Sequence, residues 1–209
     1  MNKNSFTYLL FVIILLLGIL FGVLANDAIR SSSGSSSVGG TSAADENTTS
    51  LYIAYDAAIL QMLRSGYTGT PDYSYAYGNV NIAATRLATA YESEFGKSVA
   101  TKWAILLEDN SPLYADYLID EKKDSTDQIR TISQALRTDE RPITALIAKA
   151  ENGNSSFVSS KFAAALATND SLLLTSFNDY VAQQYSASYV EQESLFTNVH
   201  TITDMLASS

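Results

Sequence analysis

Val80, Ala84, Leu87, Tyr91, Phe95, Val99, Trp103 and Leu106 follow one another at intervals of three or four residues. On an α-helix that spacing gathers the side chains on one face, whereas on a strand it would scatter them over both. A helix over about 79–108, roughly 45 Å long, is predicted. Gly96 lies within it at a cost of about 1 kcal/mol.

The same periodicity recurs on both sides. Leu51, Tyr55, Ile59 and Met62 predict a first helix over about 50–65, ending near Gly66. Asp109-Asn110-Ser111-Pro112 then looks like a stop followed by a start, with Ser111 as N-cap and Pro112 in the first turn. A third helix over about 112–137 follows, with Leu113, Tyr117, Ile129, Ile132 and Leu136 inward and a loose polar middle from Asp120 to Asp127. Pro142 opens a short piece carrying Ile143, Leu146 and Ile147, and another short helix over about 155–167 carries Phe157, Phe162 and Leu166. Asn169 or Asp170 is expected to cap a final helix over about 171–206, with Leu174, Phe177, Val181, Tyr185, Ser188, Leu195, Val199, Ile202 and Leu206 inward. The only alternating stretch, Tyr73 to Tyr77, sits between turn signals. The fold class expected is all-α, an antiparallel bundle of four to five helices over residues 51–209.

Ahead of the bundle stands an uninterrupted uncharged run, Phe6 to Ala25. It is long enough as a helix to cross the roughly 30 Å hydrocarbon core of a bilayer. It also has the form of a signal sequence, with Lys3 before it and a small-residue cleavage site, Val23-Leu24-Ala25. Its length favours a retained anchor. Lys3 precedes the run, and Asp27 comes before the first downstream base, Arg30, so the positive-inside rule leaves residues 1–5 as a cytoplasmic tip and exports the rest. If the chain is cleaved after Ala25, the same domain is secreted. Residues 26–50, rich in Ser and Gly, are expected to form a flexible tether. The start FTYLLFVIILLLGIL superficially resembles the N-terminal helix of type IV pilins. It departs from that family in having Ser5 before Phe6 and no acid in the run.

Composition removes whole classes of chemistry. The sequence has no cysteine, which excludes disulfides, thiolate metal sites and a cysteine nucleophile. With Lys3 set aside, 12 bases face 22 acids, a formal charge of −10, and no Lys or Arg follows Lys161. Nucleic-acid binding needs clustered bases and is not expected. No phosphate loop, serine elbow or zinc signature is present, so no catalytic residue, no metal site and no enzyme activity is expected.

Four tyrosines in a Gly-rich segment expected to be a loop over 66–78, namely Tyr67, Tyr73, Tyr75 and Tyr77, are the binding-surface candidates. They could equally cover the open end of the bundle. Met62 on the first helix and His200 on the last resemble the Met/His ligation of haem in four-helix-bundle cytochromes, which would imply a non-covalently held haem. Asp116, Asp120, Asp124 and Asp127 would line one face of a continuous helix, with Lys122, Lys123 and Arg130 balancing them. Asn47, Asn154 and Asn169 begin glycosylation sequons. The function expected is that of a membrane-anchored, extracytoplasmic binding or structural protein. The alternative is a carrier holding a small ligand or cofactor in the bundle interior. The partners expected are the lipid bilayer, through residues 6–25, and a protein or small ligand outside it.

Overall fold

The computed structural model describes residues 43–151 and 157–207. The apolar run 6–25, the tip before it and the tether up to residue 42 lie outside the described residues. Among the described residues there are seven helices and no strand, so that part of the chain is all-α. They are α1 (Ala43–Thr68), α2 (Tyr73–Ala90), the single turn α3 (Glu92–Phe95), α4 (Lys97–Lys122), α5 (Thr126–Ala150), α6 (Ser159–Val181) and α7 (Tyr185–Ala207). No helix among the described residues is long and apolar enough to cross a membrane.

The long helices run alternately up and down. Asn81 meets Ser111 and Thr85 meets Glu108, so α2 and α4 are antiparallel. Ala165 meets Asn198 and Ser176 meets Ser188, which makes α6 and α7 antiparallel too. Each long helix packs on the next, α7 closes back on α1, and α1 also touches α4 and α6. Its inward residues Ile59, Met62 and Leu63 are accordingly sealed from solvent. Around them pack Val80 and Leu87, Trp103 and Tyr114, Leu136 and Ile147, Phe162 and Phe177, and Leu195 to Leu206 at helical spacing.

Membership of the core follows the predicted stripes closely, but the helix ends do not. The helix expected over 79–108 folds back on itself at Gly96, whose φ of 84° and ψ of 154° lie in a region open essentially to glycine alone. Past the reversal Trp103 stays in the core while Phe95, Val99 and Leu106 are partly buried against it, and the Tyr91 ring packs tilted against Trp103 with centroids 5.0 Å apart. Conversely, the stop expected at Asp109–Pro112 is the middle of α4, and Pro142 lies inside α5. Both prolines are on the exposed side of their helices. A proline ring takes the N–H from the carbonyl four residues back, and at the surface that carbonyl can turn to water. Gly66, the expected end of the first helix, lies inside α1, with Leu118 Cδ2 and, at 2.7 Å, Tyr73 Cε2 over the point where a Cβ would sit. It is there for close packing and does not terminate the helix. The α1 helix also begins within the expected tether, at Ala43, and Thr49 pins its start to Thr203 of α7 at 2.9 Å.

Three turns share one end of the bundle and one geometry. At each, the chain closes the helix with a pair of backbone bonds and one left-handed residue, the Schellman arrangement. Thr70 and Gly69 bond to Ser65 and Gly66 after α1. Ser125 and Asp124 bond in the same way to Asp120 and Glu121 after α4, and Gln184 and Gln183 to Asp179 and Tyr180 after α6. The left-handed residues are Gly69 (φ 69°), Asp124 (φ 55°) and Gln183 (φ 60°). The last of these breaks the helix expected over 171–206, leaving Tyr185, a predicted core residue, 58% exposed.

A buried polar hub and an arginine cleft

Asn169 and Asp170, expected as a cap, are the centre of α6 and of a buried polar network. Asn169 is 3% exposed, and its amide Nδ2 donates to both oxygens of Asp56 on α1, at 3.0 and 3.1 Å. Its own Oδ1 accepts from Asn198 Nδ2 on α7 at 3.3 Å, while that same amide donates to the Ala165 carbonyl at 2.8 Å. The next residue points the other way. Asp170 accepts the Tyr114 hydroxyl of α4 at 2.6 Å and shares a hydrogen bond with Glu140 of α5. Two adjacent residues of α6 thus join it to four other helices. An Asn169 so enclosed is no glycosylation acceptor in the folded protein.

The hub holds its carboxyl groups against their ordinary chemistry. Burial pushes Asp56 well above the usual carboxylate range; the Asn169 bonds oppose that shift and nearby Asp170 adds to it. Burial is also the main cause for Glu140, pushed up to about 9, with the charge and hydrogen bond of Asp170 adding and Arg137 opposing. Glu140 Oε1 is buried with no hydrogen-bond partner, which adds to the cost of a charge there. A protonated Glu140 can then donate to Asp170, which Tyr114 also supplies. Tyr52, Tyr55 and Tyr114 around the hub are raised well above the ordinary phenol value, chiefly by burial. The Glu140–Asp170 pair, thirty positions apart in sequence, left no spacing signal; its only trace was polar residues inside apolar helices. A cleft of about 170 Å³ reaches Asp170 from outside, between Arg137, Tyr117 and Asn178. Among the described residues no group of three or more His, Asp or Glu side chains could hold a metal ion.

A second cleft, of about 300 Å³, opens where α1 meets the end of α6 and the middle of α7. Ala57, Leu60 and Phe196 supply apolar lining, and Gln61 and Gln192 supply polar lining. Among the described residues its one charged lining residue is Arg64, the only base on α1, which no sequence motif singles out. The guanidinium lies over the Tyr180 ring, 5.0 Å from its centroid. Its Nη2 donates to Ser188 Oγ at 3.2 Å and to Ser176 Oγ at 3.5 Å. Both hydroxyls can accept because each donates across the helix pair, Ser188 to the Ser176 carbonyl and Ser176 to the Ser188 carbonyl. Arg64 Nε is buried without a partner. Among the described residues, no carboxylate stands within ion-pair distance of it. Burial draws its pKa down from the ordinary value, and Tyr180 and Tyr189 oppose that shift.

The tyrosine candidates do not form one loop. The turn covers only 69–72, and Tyr73, Tyr75 and Tyr77 are on α2. Tyr75 is 78% exposed, while Tyr67 packs edge-on to Phe177 and Tyr73 edge-on to Tyr77. Met62 is wholly inside the core of α1, and His200 is exposed on α7. Neither lines either cleft. The row of acids is split by the turn at Asp124, and Asp127 pairs with Arg130 at 3.0 Å on the surface.

The fold therefore defines a class, an up–down bundle of six long helices with a polar hub inside and a cationic cleft at one seam. The chain matches no protein-family model, no curated protein and no solved structure.

Proposed function

We propose that this chain is a membrane-tethered binding protein, holding an acidic helical bundle on the outer side of a bilayer and acting without catalysis. The observation that carries the reading is the order of segments: a twenty-residue uncharged run, a Ser/Gly-rich stretch and then a domain able to build a core without cysteines. Lys3 on one side and Asp27 on the other orient it. Membrane fractionation with protease shaving of intact cells tests the proposal, comparing the full chain with one beginning at Asn26. The full chain should sediment with membranes and lose its bundle to external protease, and the shortened chain should do neither. A bundle protected in intact cells would reverse the orientation.

Within that role a small-ligand carrier is the second reading. The Arg64 cleft favours it, because a cation beside open volume, with no carboxylate among the described residues against it, is a site for a guest. The cleft lies on the flank of the bundle, at a seam between helices, which differs from the interior guest site expected from sequence.

A further inference from the structure

We propose that the Arg64 cleft binds a small monovalent carboxylate carrying an apolar or aromatic body. The inference rests on the binding role above and names the chemical class of its ligand.

Arg64 is an arginine placed for recognition and left uncompensated. An arginine stays protonated at physiological pH, so a partly buried guanidinium normally meets a carboxylate. This chain carries 22 acids, yet none within the described residues reaches Arg64, and its Nε–H has no acceptor. Ser176 and Ser188 hold Nη2 and the Tyr180 ring backs the plane, which fixes the direction of the fork before any ligand arrives. A carboxylate seated in the cleft against the guanidinium would supply the counter-charge that the fold leaves out.

The surroundings narrow the anion. The cleft of about 300 Å³ is at the small end of ligand-pocket sizes, and Leu60 and Phe196 offer apolar contact for the rest of the guest. Tyr185 and Tyr189, exposed at the start of α7, add aromatic surface near Tyr180. One cation in a protein of formal charge −9 suits a single negative charge better than a dianion such as phosphate.

The test uses the full chain in a neutral detergent, with ¹⁵N-labelled arginine and phenylacetate as probe. Because it is run in solution, its outcome is independent of membrane orientation, and failure here leaves the fractionation result standing. The Arg64 Nε–H resonance should shift saturably at concentrations up to about 10 mM. Arg64→Gln should weaken phenylacetate binding by about tenfold or more, measured by calorimetry, and Arg64→Lys should restore only part of it. Inorganic phosphate should give no saturable shift. An unmoved Nε–H in the wild-type chain would overturn the proposal whatever the variants do. So would equal binding by Arg64→Gln, or phosphate binding as tightly as phenylacetate.

Discussion

The polar hub and the Arg64 cleft are both built where helices meet, and both bring charge-bearing side chains inward, but they end differently. In the hub, Asn169 is matched to Asp56 and Tyr114 to Asp170, and protons are retained where charges would repel. In the cleft, among the described residues, the guanidinium meets two serines and a ring with no carboxylate against it, and open volume lies beside the side chain. A buried polar group whose partners lie inside the fold specifies the packing of helices. One whose partner is missing, next to open volume, is available to something else. The first region should therefore govern stability and the second binding.

The largest effect is expected at the centre of the hub. Asn169→Ala removes the donors of a buried carboxyl and leaves a void, and should cost about 3 kcal/mol in urea unfolding. A loss under about 0.5 kcal/mol would mean that the hub does not hold α6 to α1.

Next is the pH dependence. Glu140 keeps its proton up to about 9 when folded but releases it near the ordinary carboxyl value of 4.5 when unfolded. Across that window the folded state binds more protons, so stability must fall as pH rises. Tm should decline from pH 5 to pH 9, and Glu140→Gln, which retains a donor for Asp170, should flatten the decline. Asp56, raised by the same burial, should leave a residual slope. A Tm that climbs through this range would contradict the assignment.

The turn beside the cleft offers a smaller change. Gln183 occupies a left-handed conformation that favours glycine, so Gln183→Gly should stabilise the bundle by up to about 1 kcal/mol, read by thermal melting. Smallest is Arg64→Gln, whose effect on stability should stay within about 0.5 kcal/mol because it removes no charge pair.

The two regions also differ in what could be read from the sequence. The apolar stripes were legible, and Ile59, Met62, Val80, Leu87, Trp103, Val199 and Ile202 are all core. The helix ends were not, and the errors share a cause. Pro112, Pro142, Asn169-Asp170 and Gly66 carry the local chemistry of helix starts and stops, but each lies inside a helix because tertiary surroundings satisfy or tolerate it. True stops at Asp124 and Gln183 lack the glycine that usually marks a left-handed cap, so only backbone geometry reveals them. The hub was visible only as polar residues in the wrong places. Arg64 was less visible still, since its significance lies in what fails to approach it, and that depends on helices more than a hundred residues further along the chain.

The division of labour between hub and cleft is tested most directly by thermal unfolding of the wild-type chain, Asn169→Ala and Arg64→Gln, each with and without phenylacetate. A ligand that binds only the folded state raises Tm by mass action. Asn169→Ala should melt well below wild type yet be raised by phenylacetate, whereas Arg64→Gln should melt near wild type and not respond. An Asn169→Ala chain as stable as wild type, or an Arg64→Gln chain raised as far as wild type, would contradict it.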